Sequence, residues 1–311
     1  MTTQTLAEAG RLVNDQILRG VAEDIISVNP IYSVIPFMPY QGQGLIIPRE
    51  LTLGGTGYGS VGQALTATQK AAATFTVKTV TAVKLIGDAE MDGLVQVQSM
   101  GAGVDQVALE IASKSKSISR LFQTGLATGA NSGDMRSFPS ECDPTQFCTA
   151  ATTRALSFEL LDELMDLVKS KDGQVDFILM PARTIRSYKA LLRNLGGTPA
   201  DWVVKLPDGR ETIGYESIPI FKNEYLSVIE QLNGTVLTGG ALTSVYAGVW
   251  DDGSGKIGCG AIYPAGASAG LVVEYIGYKE NYDEQIWRVK WYTNFVCFNR
   301  RGLARLASIN D

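Results

Sequence analysis

The chemistry open to this chain is limited first by a residue type that it lacks. None of its 311 residues is histidine, so the commonest general base and the commonest zinc ligand are both absent from the sequence. A serine or cysteine nucleophile would need a different base to activate it. The sequence therefore predicts no catalytic residue, and two short motifs remain as candidate ligand sites.

The two motifs are a glycine-rich segment and a group of alternating carboxylates. Residues 57–62 match G-x-G-x-x-G, which binds dinucleotides between the strand and the helix of a βαβ unit. Here Pro48 interrupts the preceding strand and a β pattern follows, so this motif alone supports the alternative of a nucleotide-binding oxidoreductase. Asp88, Glu90 and Asp92 lack further ligands at a recognisable spacing. We interpret them as a solvated turn before a helix, and we predict no cofactor and no metal site.

Composition favours a packed protein that does not bind DNA sequence-specifically. Hydrophobic residues make up 45% of the chain and charged residues 19%, with a formal net charge of −5. Duplex-DNA binders usually carry a basic patch, which this mild acidity does not suggest. No apolar run approaches the roughly 18 residues of a membrane span. The cysteines form no C-x-x-C pair, so we predict free thiols in a reducing compartment, with a Cys142–Cys148 disulfide as the alternative.

The longest predicted element is a helix over residues 101–127, around which the other elements must pack. At 1.5 Å per residue it would run nearly 40 Å, so a sheet or other helices must lie along it. Apolar residues recur at the i, i+3, i+4, i+7 spacing of one helical face: Val104, Val107, Ala108, Ile111, Ile118, Leu121, Phe122 and Leu126.

A long hairpin is predicted before this helix, with strands at residues 44–51 and 73–86 and a mobile glycine-rich tip at 54–62. Pro48 places the first strand at a sheet edge, because proline cannot donate a ladder hydrogen bond. We expect little apolar surface on this hairpin. A two-stranded ribbon is marginal alone in water, so something else must support it. The hairpin lysines are interpreted as solvated charges or, alternatively, as partners in ion pairs between subunits: Lys70, Lys78 and Lys84.

The flanking segments are mixed. Thr5 and Glu8 fit the capping box of a first helix. Residues 157–169 predict a helix capped by Ser157, residues 175–180 a buried strand, and Pro181 the start of a second helix. Further predicted strands, with a final segment that is either helix or strand, lie at residues 202–215 (a hairpin), 218–221, 235–238, 244–249, 271–278, 285–298 and 303–309.

This order of elements resembles the major capsid protein family of tailed bacteriophages, whose shells use the Hong Kong 97 fold. The segments that carry the resemblance are GLIIPRE at 44–50, GDAEMD at 87–92, GYESIPI at 214–220, WRVKWY at 287–292 and FNRRGLARL at 298–306. It implies an α+β fold with an extended E-loop hairpin, a spine helix in a P-domain and a compact A-domain. The implied parts are the N-terminal arm at 1–36, the E-loop with flanking strands at 37–86, the P-domain at 87–155, the A-domain at 156–268, and the closing P-domain hairpin with the C-terminal segment at 269–311.

The resemblance implies a structural protein and not an enzyme. Such subunits assemble through hexamers and pentamers, in the host cytoplasm, into the icosahedral virion head that encloses double-stranded DNA. Their partners are copies of themselves, portal and scaffolding proteins and, in some members, decoration proteins. An encapsulin-like bacterial compartment shell is the alternative. Because the E-loop lies across an adjacent subunit and the P-domain loop meets other capsomers in this family, the expected subunit-contact residues are Arg49, Glu50, Lys70, Lys78, Lys279, Glu280, Asp283 and Glu284.

Overall fold

The computed structural model describes residues 31–101, 105–128, 135–148, 155–169, 173–196, 203–206, 209, 211–226, 231–232, 235–236 and 242–310. The predicted first helix with Thr5 and Glu8 lies outside these residues. The helices are α1 Ile31–Val34, α2 Gly93–Gly101, α3 Gln106–Thr128, α4 Phe138–Glu141, α5 Phe158–Lys169 and α6 Ala182–Asn194. No described helix is long and apolar enough to cross a membrane.

The strands fall into two large sheets and two small ribbons. Their bounds are β1 Phe37–Tyr40, β2 Leu45–Thr52, β3 Thr74–Val80, β4 Val83–Asp92, β5 Phe147–Cys148, β6 Phe177–Met180, β7 Val203–Lys205, β8 Glu211–Tyr215, β9 Ile218–Lys222, β10 Gln231–Leu232, β11 Thr235–Val236, β12 Leu242–Gly248, β13 Cys259–Pro264, β14 Val272–Tyr278, β15 Glu284–Cys297 and β16 Leu303–Asn310.

The long helix α3 is present and lies along the first large sheet. It begins at Gln106, later than the predicted residue 101, because Gly101 ends the separate helix α2. Its buried side chains include Ile118, Phe122 and Leu126. Phe122 stacks on Trp291 of β15 with ring centroids 4.5 Å apart. The sheet therefore covers the part of the predicted apolar stripe that contains Ile118, Phe122 and Leu126, whereas Leu121 of that stripe is exposed and Val104 lies outside the described residues.

Strand β15 is the centre of the first sheet. Its 14 residues pair with β4 and β14 over the first part and with β13 over the second, and β1 adds parallel to β13. The solvated turn predicted at Asp88, Glu90 and Asp92 is wrong, because these residues belong to β4. Predicted strand 73–86 is likewise two strands, β3 and β4, since the chain leaves the hairpin ribbon and enters the sheet between them.

The second sheet has seven strands in the order β5-β16-β12-β6-β9-β8-β7. Successive side chains of β6 point to opposite faces of this sheet, as strand geometry requires, and they contribute to two separate layers of the core. Phe177 and Leu179 pack toward α3 and the first sheet, whereas Ile178 and Met180 pack under α5 and α6. The final segment is the strand β16 of this sheet. The helices predicted at 157–169 and after Pro181 are confirmed as α5 and α6.

We expect Phe122→Ala to lower the free energy of unfolding by about 3–5 kcal/mol, because it empties a fully buried site against Trp291. Urea denaturation of the soluble subunit measures this. The adjacent Leu121 is 51% exposed, so Leu121→Ala is the matched control and should change stability by about 0.5 kcal/mol or less. Equal effects of the two substitutions would contradict the packing described for α3.

Candidate subunit interface

The β2–β3 hairpin forms a two-stranded ribbon that has two unlike faces. Cross-strand pairs join Ile47 to Lys78 and Leu45 to Val80 on the inner face. Ile47 and Val80 are buried there against Tyr40 and the end of β15. Among the described strands, β2 and β3 pair only with each other, so the predicted edge position of Pro48 in β2 is confirmed.

The outer face of the ribbon is apolar and exposed. Ile46, Phe75 and Val77 alternate with the inner-face residues and are 63%, 68% and 63% exposed. The expectation that the hairpin carries little apolar surface is therefore wrong. It failed because the sequence does not show which of two alternating faces the rest of the subunit covers. A contiguous exposed apolar strip of this kind marks an interaction surface more often than scattered single residues do.

Beyond the ribbon, residues 53–73 form a tip whose hydrogen bonds are internal. Gly55 N–H donates to the Ala71 carbonyl at 2.8 Å, and the Gln69 amide donates to the Tyr58 carbonyl at 3.2 Å. Tyr58 and Val61 are fully exposed, and Leu53 is 76% exposed. The tip thus adds large apolar side chains that the described part of its own subunit leaves uncovered.

A buried carboxylate fixes the base of the ribbon. The side chain of Glu141 in α4 is fully buried, and it accepts hydrogen bonds from Lys78, from Arg136 at 2.9 Å and from the Cys297 N–H at 2.8 Å. Burial lowers the pKa of Lys78 even though the Glu141 carboxylate opposes that shift, and Arg49 and Arg136 lower it further. Desolvation, together with the two nearby arginines, therefore outweighs the attraction of Glu141 for the Lys78 cation.

Arg49 completes the attachment. Its guanidinium donates to the Phe298 carbonyl at 2.9 Å and also to the Cys297 carbonyl, at the end of β15. The Cys297 peptide is thereby held from both sides, by Arg49 at its carbonyl and by Glu141 at its N–H. We call these contacts of Arg49, Lys78, Arg136 and Glu141 the base clamp. The base clamp sets the direction in which the ribbon leaves the subunit.

The connection from β3 to β4 is anchored as well. The Asn294 amide donates to the Thr81 carbonyl at 2.6 Å, and the Tyr40 hydroxyl accepts the Ala82 N–H at 3.1 Å. Sequence reasoning missed Glu141, Asn294 and Tyr40, because each acts on a segment distant in the chain and no local pattern distinguishes it.

Of the predicted contact residues on the ribbon and tip, Arg49 and Lys78 bind within their own subunit, whereas Glu50 and Lys70 are exposed. On the closing hairpin, Lys279 lies between Glu90 and Glu284, with nitrogen–oxygen distances of 3.1 and 3.0 Å. For all eight predicted residues, a role in contacts between subunits stays a prediction. The remaining two candidates on that hairpin are exposed: Glu280 and Asp283.

The alternating carboxylates before α2 lie on β4 and not in a solvated turn. Asp88 and Arg288 form a two-pronged ion pair, with distances of 2.7 and 2.8 Å, and the hydrogen bonds from Arg288 lower the pKa of Asp88. Glu90 binds Lys279. Strand pairing with β15 places Arg288 directly opposite Asp88, whereas Lys279 reaches Glu90 from the turn that follows β14. Among the described residues, no group of histidine, cysteine and acidic side chains could hold a metal ion.

Two glycine motifs occupy exposed loops. Residues 57–62 lie in the tip between two antiparallel strands, which is not the strand-to-helix setting that a dinucleotide site needs. Residues 266–270 match G-x-S-x-G, a pattern the sequence reasoning missed, but Ser268 is exposed between β13 and β14 in a chain without histidine. The geometry supports neither an oxidoreductase nor a serine hydrolase. The four cysteines are buried free thiols, and burial raises the pKa of Cys142 and Cys259.

Comparison with known proteins identifies the fold. No family model matches the sequence, and no curated protein matches it. The structure is similar to the holo-SrpI encapsulin of Synechococcus elongatus, with a TM-score of 0.68, 13% identity, and coverage of 100% of this chain and 97% of that one. It is similar to the capsid of an empty GTA particle, with a TM-score of 0.61, 13% identity and 100% of both chains covered. For Microbacterium phage Oxtober96, the TM-score is 0.57, the identity 13%, and the coverage 98% and 99%.

These similarities extend over essentially the whole chain. The protein therefore has the α+β fold of the Hong Kong 97-type capsid proteins, as the sequence resemblance implied. At 13% identity, the similarity establishes the fold and leaves the individual function to the proposal below.

We expect Glu141→Gln to lower the free energy of unfolding by about 3 kcal/mol, because it leaves Lys78 as a buried cation without its anion. Denaturant unfolding of the purified protein measures the loss. The control is Glu50→Gln, an exposed substitution on the ribbon that carries Lys78. Adding Lys78→Met to Glu141→Gln should recover part of the loss, since the unpaired charge is removed. No recovery would mean that the base clamp does not act through this charge pair.

A pH dependence follows from the neighbouring Asp143. Burial by itself would raise the pKa of this carboxyl, but hydrogen bonds from Arg300 and Thr145 outweigh it and lower the pKa to about 2. Ionised Asp143 therefore stabilises the fold fully above the ordinary value of 3.8 and loses that effect as the pH falls through about 2. Because solvent screens Arg300, we expect a contribution of about 1 kcal/mol.

Unfolding free energies at about pH 5 and about pH 1, below both pKa values, measure this contribution. The difference in unfolding free energy between the native protein and Asp143→Asn should be present at the higher pH and should disappear at the lower pH. Asp166→Asn, at an exposed acid without an ion pair among the described residues, should show no such closing gap. A constant Asp143→Asn effect at both pH values would refute the role of its charge.

Proposed function

We propose that this chain is the subunit of a self-assembling protein shell, and specifically the major capsid protein of a tailed bacteriophage. The observation that carries the proposal is the outward apolar face of the ribbon, formed by Ile46, Phe75 and Val77. Full burial of such side chains stabilises by about 1.5–3 kcal/mol each, so leaving them in water forfeits that stabilisation. A neighbouring copy of the subunit is the surface that would cover them.

The attachment of the ribbon supports the same conclusion. Lys78 and Arg49 tie its inner face to α4 and to the end of β15. A projecting ribbon held at its base can present its outer face in one direction without a flexible hinge. That arrangement suits repeated contacts between identical subunits, in which every copy must offer the same surface at the same angle.

The function includes no catalysis. Shell formation uses complementary surfaces and needs no reactive group. Asp88 and Glu90 form ion pairs within the subunit, and the four cysteines are buried. In this proposal the subunits form hexamers and pentamers of a virion head that is assembled in the host cytoplasm and encloses double-stranded DNA. Portal and scaffolding proteins, and in some heads decoration proteins, would be the further partners.

A second candidate function is an encapsulin-like compartment shell. The observation that favours it is the similarity to the Synechococcus elongatus encapsulin, at a TM-score of 0.68 over 97% of that chain. The contents of purified particles separate the two functions. Double-stranded DNA would support a phage capsid, and a protein cargo would support a compartment.

The first test is electron microscopy and sedimentation of the purified protein, which should show shells or capsomers. We expect Phe75→Ser combined with Val77→Ser to keep the subunit folded and to abolish assembly, because each contact loses about 3 kcal/mol, more than a hundredfold in its equilibrium constant. Thr74→Ser with Thr76→Ser changes the same strand on the inner-face register and is the control. Full assembly of the Phe75–Val77 variant, or a strictly monomeric native protein at high concentration, would reject the proposal.

A further inference from the structure

The two helices on the second sheet carry opposite charges. On α5, Glu159, Asp162, Glu163 and Asp166 are all exposed, and Lys169 in its last turn pairs with Glu216 at 3.0 Å. At 100° per residue, the four acids fall within an arc of roughly 100° opposite the buried leucines, and Lys169 lies at one edge of this arc. The outer face of α5 is therefore one continuous acidic stripe.

The charged side chains of helix α6 are all positive. It contains no acidic residue, and its four cations follow one another at spacings of three or four residues: Arg183, Arg186, Lys189 and Arg193. They also fall within an arc of roughly 120°. All four are exposed or half-buried, and none of them forms an ion pair with a residue that the structure describes. In a chain of net charge −5, this concentration of positive charge is local to α6.

The stripes belong to one layer of the subunit but do not neutralise each other. Both helices cover the same sheet face, with Phe158 of α5 against Tyr188 of α6. The Thr184 and Tyr188 side chains fix α6 over β12 and β8, while α5 packs over β16. In the described residues no salt bridge joins the two helices, so each stripe faces outward.

Segregation of charge has a cost within the isolated subunit. Among the four acids of α5, and among the four cations of α6, every pair at i, i+3 or i, i+4 has like sign, and such pairs destabilise a helix. An opposite stripe from outside would relieve the repulsion on both helices. The helices that carry the stripes also match in length, because 12 and 13 residues span about 18 and 20 Å.

We propose that the acidic stripe of α5 in one copy docks against the basic stripe of α6 in a neighbouring copy of the same shell. The inference rests on the proposed shell function and adds a second contact, separate from the ribbon. Charge complementarity selects a second copy as the occupant, because one partner then satisfies both stripes. Nucleic acid would satisfy α6 and leave the acidic stripe of α5 unexplained.

Charge reversal tests this contact on the full chain. One variant combines Glu159→Lys, Glu163→Lys and Asp166→Lys, so that cations prevail on both helices. The other combines Arg186→Glu, Lys189→Glu and Arg193→Glu, so that acids prevail on both helices. Each alone should form shells with at least about a tenfold lower yield, because like charges then meet. An equimolar mixture should recover assembly, since each variant now complements the other.

Controls separate this contact from folding and from the shell function. Lys205→Glu, Lys222→Glu and Lys256→Glu together make the same charge change as the α6 variant, at exposed lysines outside α5 and α6, and should assemble normally. Circular dichroism should show all variants folded. If the native protein forms no shell, the proposed function fails; if it does and both reversals assemble normally, the docking proposal alone fails. The docking proposal is also overturned if both variants lose assembly and their mixture does not recover it. It is likewise overturned if the α6 variant forms shells in normal yield that hold less nucleic acid.

Discussion

The structure depends on one buried negative charge. Glu141 lies in a short helix of a loop-like segment, yet it binds a strand of the hairpin through Lys78, its own loop through Arg136, and the end of the central strand through the Cys297 N–H. An ionised carboxylate can be buried only where hydrogen bonds and cations replace its water. The three donors satisfy that condition together, so the position of each segment is coupled to the other two.

This constraint gives the ribbon its function. A two-stranded ribbon has too little internal contact to hold a direction by itself. With its inner face fastened by Lys78 and Arg49, its direction follows that of β15, which in turn follows α3 through the contact of Phe122 with Trp291. The body of the subunit is therefore mechanically continuous with the outward apolar face, and an interface made there positions the whole subunit.

Charges are used differently on the two sheets. On the first, pairs such as Asp88 with Arg288 and Lys279 with Glu90 are closed within the subunit. On the second, α5 and α6 keep like charges together and leave them unpaired between the helices. Charges that already form ion pairs within the subunit contribute little to the binding of a new partner. Segregated stripes, in contrast, can discriminate among partners. The two sheets thus offer surfaces of distinct character.

Local sequence patterns by themselves determined the elements whose cause is local. The apolar period of α3, the capped helix α5, the helix that follows Pro181 and the edge position of Pro48 each depend on neighbours within a few turns of chain, and all were predictable. The order of these elements also indicated the fold. The hairpin's bounds and its inner and outer faces were not predictable, because a strand that alternates apolar residues does not reveal which face the body will cover. Glu141 and Lys78 are 63 positions apart, and Asp88 and Arg288 are 200 apart. Only the tertiary structure decided such contacts, because it is the packing of distant strands that removes water from these charges and makes their pairing matter.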